Sequence, residues 1–265
     1  VKPSLLRQGL MGDAKRIVVK PISSAQARAV VRRIHYSGKV VNNSTLHLGV
    51  FFAGRLEGAM QFGSPMDKRK VLHLVSGTKW SQMMELNRMA FSEALPRNSE
   101  SRAMGVAFRM ICKHRPDIKW LLSYSDATQC GDGTIYRAAG FVLTKVDRNQ
   151  TILRLPSGEV VADKTLNDRP SSTGERPATV AIRSGAKRLP GYQLRYIKFL
   201  DPAWEARLTV PVIPFSKIPD DARMVRGEKT RQPSKRGTGD HPETGGAEPT
   251  LALHSLGSAH AVESK

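Results

Sequence analysis

Between Arg16 and Val146, short apolar stretches alternate with segments of helical periodicity, and this succession constrains the fold more than any other feature. Apolar residues at helical spacing follow Ser23 and Ser24, and they recur after a polar loop that begins at Pro96. The predicted order of elements is β-α-β-β-β-α-β-α-β. The sequence therefore predicts an α/β fold with a mixed, mostly antiparallel sheet flanked by helices, not a doubly wound nucleotide-binding sheet.

The predicted elements follow from apolar runs, capping residues and turn signals. Strands are predicted at 17–21, 46–52, 56–62, 84–90, 120–124 and from 141 onward, and helices at 24–34, 101–114 and 134–139. Further along the chain we predict a hairpin at 151–161, a loop at 167–178 and a strand at 192–200.

The domain organisation follows from these elements and from composition. We predict an N-terminal arm at 1–15, a main catalytic domain at 16–146 and a C-terminal β extension at 147–220 that packs on the same core. Beyond 221 the chain is rich in Gly, Pro, Ser and Thr with scattered charge, which is typical of a disordered tail.

The chain is strongly basic, with 42 Lys and Arg against 23 Asp and Glu and a net charge of +19. Residues 224–265 hold six basic and five acidic side chains, so almost all of the excess belongs to the rest of the chain. A folded surface with this imbalance favours a polyanion such as DNA as its partner. The structural alternative is a basic protein whose charge serves solubility.

Cysteine content and hydropathy exclude several classes of protein. The two cysteines, Cys112 and Cys130, cannot build a disulfide framework and do not form a Cys-x-x-Cys pair for zinc. No apolar run is long enough to span a bilayer, and no basic amphipathic helix indicates a membrane surface. We therefore expect a cytoplasmic protein with no membrane partner. The sequence leaves the oligomeric state open, with a homodimer as one option.

Two places carry candidate catalytic groups. The run from His35 to Lys39 brings a dense set of polar side chains to the end of a predicted helix. Asp126 directly follows a predicted strand, and Tyr136 lies on the helix after it. Ligands of α/β sheets bind beyond such strand ends, where a carboxylate accepts a proton or binds a metal. The structural alternative for Asp126 is a polar turn that caps the next helix.

A third candidate is the loop that enters the helix at 101–114. The free backbone N–H groups of a helix start favour an anionic group. Gly105 lowers helix stability, which indicates the close approach of a ligand or of a neighbouring element. The candidate cofactor-binding residues of this segment are Ser99, Ser101, Arg102 and Gly105.

Three segments carry a resemblance to a known family. They are MELNRMAF at 84–91, the run from YSDATQ to IYRAAGF at 124–141, and YQLRYIKFLDP at 192–202 with RLTVPVIPF at 207–215. They resemble the Mom family of DNA-modification proteins known from phage Mu, over roughly 16–218. The order of elements is similar to the GNAT superfamily of N-acetyltransferases, so the resemblance implies a GNAT-like acyltransferase fold.

The resemblance implies an activity, which is the conversion of adenine N6 in duplex DNA to a carbamoylmethyl (acetamido) form. This modification would protect phage DNA from host restriction enzymes, in the cytoplasm of the host cell. The resemblance also implies iron, and the fold implies an acyl-CoA donor. The GNAT loop for CoA carries two small residues, as Arg/Gln-x-x-Gly-x-Gly/Ala, whereas residues 97–105 carry one glycine, which disfavours acyl-CoA as the donor.

We expect five side chains to converge at one cleft: His35, Tyr36, Arg88, Asp126 and Tyr136. In this cleft Arg88 would pair with a carboxylate or phosphate of the donor. Two roles remain open for the remaining polar groups.

In one role, His35 and Asp126 hold Fe(II), with His47 or Glu85 as the third ligand. In the other, Asp126 takes the proton of the amine and His35 orients the substrate.

For DNA, Tyr124 or Tyr136 is expected to stack on an adenine that has left the helix, although either could equally be a core residue. Four basic residues around the last predicted strand are expected to contact phosphates: Lys187, Arg188, Arg195 and Lys198. Two other functions stay open, which are a GNAT enzyme that acetylates a protein or small amine and a DNA-binding module without catalysis.

Overall fold

The computed structural model describes residues 13–128, 131–171 and 174–222, and within them the chain forms ten strands and five α-helices. The strands are β1 (Val18–Pro21), β2 (Ser44–Phe52), β3 (Arg55–Gly63), β4 (Met83–Phe91), β5 (Trp120–Asp126), β6 (Val142–Arg148), β7 (Ile152–Arg154), β8 (Val160–Ala162), β9 (Lys187–Arg188) and β10 (Tyr192–Phe199). The helices are α1 (Ser24–Ile34), α2 (Ser99–His114), α3 (Thr134–Ala138), α4 (Asp163–Asn167) and α5 (Pro177–Arg183). None of the helices described is both long enough and apolar enough to cross a bilayer.

Seven strands form the main sheet in the order β1-β2-β3-β4-β5-β10-β6. Every neighbouring pair is antiparallel except β4 and β5, which run parallel. The predicted order of elements is confirmed from β1 to β6, as is the mixed, mostly antiparallel α/β fold class. A second sheet of three short strands has the order β8-β7-β9, and it contains the hairpin predicted at 151–161.

Local chemistry explains why these elements begin and end where they do. Ser23 caps α1 by accepting a hydrogen bond from the backbone N–H of Gln26, whose side chain bonds back to the cap. Ala53 and Gly54 both have positive φ, 48° and 77°, as the tight turn between β2 and β3 requires. The predicted helix and hairpin are therefore confirmed in their details.

Helices and loops cover both faces of the main sheet. On one face α2 buries Met104, Ala107, Phe108 and Ile111 against the strands, and α3 packs beside it. On the other face α1 covers β3 and β4, while the loop from β3 to β4 and the 3-10 helix Pro202–Arg207 cover the rest. The core thus lies in two layers with the sheet between them.

The C-terminal part of the chain completes the main sheet. β10 lies between β5 and β6, so among the described residues β6 joins the sheet only through β10. The predicted extension at 147–220 thus supplies an interior strand of the sheet to which 16–146 contributes.

Two predictions for the second half of the chain need comment. The loop predicted at 167–178 is wrong at its edges, because α4 ends at Asn167 and α5 begins at Pro177. These short helices are stabilised by packing of Leu166 and Ala178 on the small sheet, which periodicity over a few residues cannot reveal. Of the predicted tail at 221–265, the residues from 223 onward lie outside the described part of the chain. Of the predicted arm at 1–15, residues 1–12 lie outside it.

Candidate functional site

The parallel strands β4 and β5 part from one another after a short paired stretch. Only Met83–Glu85 pairs with Trp120–Leu122, although β4 continues to Phe91 and β5 to Asp126. Past Glu85 no register between the two strands is maintained, so their carboxyl halves diverge. Ligands of α/β sheets bind at such openings beyond the carboxyl ends of parallel strands. We call this opening the β4–β5 fork.

A β-bulge in β4 shapes one side of the fork. Arg88 pairs with Gln61 and Leu86 pairs with Phe62, which leaves Asn87 without a partner in the register. A bulge bends its strand and redirects side chains. The Asn87 side chain is buried, accepts a hydrogen bond from Ser44 Oγ at 3.0 Å and bonds to Glu85.

Glu85 is a carboxyl group at the base of the fork, in the last paired position of β4. Burial raises the pKa of Glu85 to about 7, against the opposing effects of its bond to Asn87 and the charge of Arg88. Tyr124 lies close enough to feel that charge, and burial followed by Glu85 raises the pKa of the Tyr124 hydroxyl. A carboxyl group that titrates near neutral pH is suited to proton transfer.

His35 and Arg88 form the neighbouring wall of the fork. Arg88 donates from Nε to Lys39 O at 3.1 Å and from Nη1 to Asn87 O at 2.7 Å. Burial, followed by the charge of Arg88, lowers the pKa of His35 to about 3. The His35 ring is therefore neutral at physiological pH, and its Nδ1 accepts from the backbone N–H of Ser37 at 3.2 Å.

Tyr36 stands beside this wall, with its ring centroid 4.3 Å from that of His35. Its residue surface is 41% exposed, in contrast to the other tyrosines of the region. Three of the five predicted catalytic residues, His35, Tyr36 and Arg88, are therefore brought together as predicted.

Asp126 lies at the carboxyl end of β5, beyond Leu122, the last residue of β5 that pairs with β4. It is the last residue of β5, not the first residue beyond it, because β10 pairs with β5 as far as Gln193 and Asp126. Its Oδ1 accepts from the backbone N–H of Thr128 at 3.0 Å and from Asn149 Nδ2 at 3.4 Å. These bonds hold an acidic group at the mouth of the fork.

Tyr136 is largely buried in the core beside α2, while its hydroxyl contacts the diverging half of β5, so its predicted catalytic role stays a prediction. The ring is buried under α2, with its centroid 5.3 Å from Phe141 and 5.0 Å from Tyr196. Its hydroxyl lies 3.4 Å from Tyr124 O. A short amphipathic helix presents its apolar side to the core, and on α3 this side includes Tyr136.

The four basic residues predicted to contact DNA phosphates do not form one patch. Lys187 and Arg188 lie on the small sheet, where Arg188 faces Asp163 at 3.7 Å. Arg195 is half-buried and donates from Nε to Thr144 Oγ1 at 3.0 Å. Lys198 lies beside Gly140, at the end of α3. These residues are close in sequence but separated in space, because β9 and β10 belong to different sheets.

Sequence reasoning underrated the polar residues inside β4. The sequence predicts Glu85 only as a metal ligand and assigns no role to Asn87. The available signal was their alternation with apolar residues in MELNRMAF, which places two polar side chains on one buried face of a strand.

Comparison with known sequences shows which protein family this chain is related to. A sequence model of the Mom protein family matches residues 16–217. The methylcarbamoylase Mom of Escherichia phage Mu is 33% identical over 210 residues, which cover 78% of this chain and 85% of that protein. The chain belongs to the Mom protein family. The matched region contains the whole β4–β5 fork and α1.

Solved structures with similar folds are N-acetyltransferases and related enzymes. The ribosomal-protein-S18-alanine N-acetyltransferase of Escherichia coli has a TM-score of 0.40 and 11% identity, covering 70% of this chain and 94% of its own. FeeM, an N-acyl amino acid synthase from uncultured soil microbes, has a TM-score of 0.41 and 15% identity, covering 73% and 96%.

The residues of this Mom family member do not fit the predicted iron site. Within 13–128, 131–171 and 174–222, no group of three or more His, Cys, Asp or Glu side chains is placed to hold a metal. His47 instead contacts Gln61, with 3.1 Å between its Nδ1 and Gln61 Nε2, and Glu85 bonds to Asn87. Neither of them completes a set with His35 and Asp126.

The start of α2 retains one group suited to an anionic donor. Ser99 is fully buried, and its Oγ has no hydrogen-bond partner. Ser101 Oγ is already bonded to Asn98 O at 3.3 Å, and Arg102 lies 3.5 Å from Lys15 O. No element packs tightly on Gly105, since the nearest atom to a Cβ placed there is Arg109 Nη1 at 3.8 Å. The close approach of a neighbouring element that we expected at Gly105 is thus contradicted.

Proposed function

We propose that this protein is a DNA-modifying transferase that converts adenine N6 in duplex DNA to carbamoylmethyladenine and so protects phage DNA from restriction. The observations that carry the proposal are the family match over residues 16–217, which include every residue of the fork, and the 33% identity over 210 residues to a protein named methylcarbamoylase. The net charge of +19 supports a polyanionic substrate.

The reaction joins adenine N6 to the methylene carbon of a carbamoylmethyl donor. The new N–C bond forms as the bond from that carbon to the donor's leaving group breaks, and the leaving group departs with the electron pair. One proton of N6 must then be removed. Because adenine N6 is hydrogen-bonded to thymine within the duplex, the target base must also leave the duplex before it reaches the fork.

We assign the proton transfer to Glu85. Its pKa of about 7 leaves a substantial carboxylate fraction at neutral pH and gives a base strong enough to take the proton as the bond forms. The neutral His35 ring orients the substrate, and Arg88 supplies positive charge for an anionic part of the donor. Asp126, held by Thr128 and Asn149, orients the amine at the mouth of the fork.

The donor's anionic end is assigned to the start of α2. The helix N-terminus and the unpartnered Ser99 Oγ together provide hydrogen-bond donors for a phosphate or carboxylate. This assignment is a matter of charge and geometry, and it applies to an anionic donor of any class.

The experiment is an analysis of DNA from cells that express the protein. The DNA is digested to nucleosides, and mass spectrometry is used to search for deoxyadenosine with one carbamoylmethyl group in place of a hydrogen. We expect this nucleoside with the natural chain. Unmodified nucleosides from cells that contain folded protein would contradict the proposed function and favour an acetyltransferase or a DNA-binding module.

Variants of the two carboxylates test the assigned roles. Glu85→Gln and Asp126→Ala should each reduce the modified nucleoside by roughly 10²–10⁴-fold, which is the usual contribution of a positioned acid or base. Both variants should still bind duplex DNA. The matched control is Asp117→Asn, which removes an exposed carboxylate paired with Arg115 and should leave modification unchanged.

A further inference from the structure

The helix α1 presents positive charge that has no acidic counterpart. It contains Arg28, Arg32 and Arg33 and no Asp or Glu. Arg28 and Arg32 are separated by four positions in the sequence and therefore lie on one side of the helix, with their Cβ atoms about 6 Å from each other. Arg33 is engaged differently, since its Nη2 donates to Leu56 O at 3.3 Å.

The chain that follows α1 folds back along this side of the helix. Gly38 has a φ of +59°, and a Cβ placed there would lie 3.9 Å from Arg32 O. Four residues later, Asn42 Oδ1 accepts from Arg28 Nη2 at 3.4 Å. Lys39 therefore lies beside the helix, between these two contacts. We call the set Arg28, Arg32 and Lys39 the α1 basic strip.

The cations of the α1 basic strip lack anionic partners within the described part of the chain. Arg28 Nε is buried without a hydrogen bond, and neither Arg32 nor the Lys39 ammonium makes a hydrogen bond or ion pair there. By contrast, Arg188 and Arg195, which the sequence suggested for this role, are held by Asp163 and Thr144. An unpaired guanidinium is suited to phosphate, which it can bind with two parallel hydrogen bonds.

The α1 basic strip is connected to the β4–β5 fork by a contact between Lys39 and Arg88. Arg88, in the wall of the fork, donates to the backbone carbonyl of Lys39 at 3.1 Å. Between the strip and the fork stand His35 and the exposed ring of Tyr36. A phosphate backbone that follows the strip thus brings its bases to an exposed aromatic side chain at the mouth of the fork.

We propose that the α1 basic strip binds the phosphate backbone of duplex DNA and that Tyr36 stacks on the base presented to the fork. This inference rests on the proposed function, because it takes DNA as the substrate and the fork as the reaction site. Stacking on an aromatic ring and contact with phosphates are separate contributions, and they are separately measurable.

The phosphate contacts are tested by the salt dependence of binding. Affinity for a short fluorescent duplex of mixed sequence is measured by anisotropy across a range of salt concentrations. Each lost phosphate contact lowers the slope of log K against log salt by about one unit. We expect Arg32→Gln/Lys39→Gln to lower the slope by about two units. In the double variant Arg32→Lys/Lys39→Gln, which keeps a positive charge at position 32, we expect most of one unit to be restored.

The matched control replaces two exposed arginines at the two ends of α5, Arg176→Gln/Arg183→Gln, and should leave the slope close to that of the natural chain. A slope unchanged in Arg32→Gln/Lys39→Gln, with its thermal midpoint also unchanged, would overturn the proposal. So would a larger loss of slope in Lys187→Gln/Arg188→Gln.

Stacking by Tyr36 is tested by comparing Tyr36→Phe, which keeps a ring, with Tyr36→Leu, which does not. We expect Phe to retain modification and Leu to lose it while the salt slope stays constant. Equal modification by both variants would overturn the stacking role. Since the natural chain is assayed for modified nucleosides in parallel, failure of the binding surface and failure of the proposed function give different results.

Discussion

At the scale of single residues, Glu85 and His35 show how the same environment acts on opposite charges. Burial disfavours the charged form of each group, so the pKa of Glu85 rises to about 7 and that of His35 falls to about 3. The charge of Arg88 counters the effect on Glu85 and adds to the effect on His35. The His35 ring is therefore neutral at physiological pH, whereas Glu85 is divided between its protonated and ionised forms near pH 7.

These shifts predict a pH dependence of stability. The folded state keeps a proton on Glu85 that the unfolded chain releases, so this stabilisation is complete below the ordinary value of 4.5 and is lost as pH rises through about 7. The natural chain therefore loses stability as pH rises from 5 to 8, and Glu85→Gln does not. The free energy of unfolding of Glu85→Gln minus that of the natural chain should grow by on the order of 2 kcal/mol over this range.

The measurement is urea unfolding of both proteins at several pH values, and the difference between them isolates Glu85 from His35. His35 acts in the other direction, because its lowered pKa costs stability as pH falls below its ordinary 6.5. A difference that does not change with pH would show that Glu85 titrates normally.

At the scale of elements, two glycines show why position decides the effect of a substitution. Gly105 lies inside α2 with open space around it, whereas Gly133 precedes α3 with a φ of +71°. A Cβ at Gly133 would stand 2.7 Å from the ring of Tyr196. The first glycine weakens a helix, and the second permits a turn and a close contact.

Gly105→Ala should stabilise the protein by roughly 1 kcal/mol, because alanine loses less backbone entropy in a helix. Gly133→Ala should destabilise it by about 2 kcal/mol or more, through the strained φ and the clash with Tyr196. Thermal or urea unfolding measures both. A loss of stability in Gly105→Ala would mean that α2 lacks the open space described around this glycine.

At the scale of the whole molecule, the sheet depends on a strand that the chain supplies late. β10 pairs with β5 on one side and β6 on the other, and it buries Leu194 and Tyr196 under α2 and Ile197 on the opposite face. The apolar contacts of both layers of the core therefore include β10.

A chain that ends at residue 190 should fail to fold cooperatively. It loses three fully buried side chains and exposes the edges of β5 and β6, each of which would have to find another partner. Circular dichroism with thermal unfolding distinguishes the outcomes. A sharp transition in this fragment would show that the chain up to residue 190 folds without β10.

The parts of the site predictable from sequence were those that depend on neighbours along the chain. His35 and Tyr36 follow a capped helix, Arg88 lies in a strand between apolar residues, and Asp126 ends an apolar strand. Each of these placements follows from a local period or cap, and the structure confirms the element in every case. For Tyr136 the local period indicates a helix face, but it does not indicate that the ring packs in the core beside α2.

The sequence by itself determined the order of elements, the ends of α1, the hairpin of β2 and β3 and the apolar face of α2, because caps, turns and periodicities act over a few residues. Only the tertiary structure decided that β10 enters between β5 and β6, that β4 and β5 part after Glu85, and that Arg28, Arg32 and Lys39 form one strip. Strand pairing and chain reversal join residues far apart in sequence, and their energies depend on side chains that local patterns do not relate to one another.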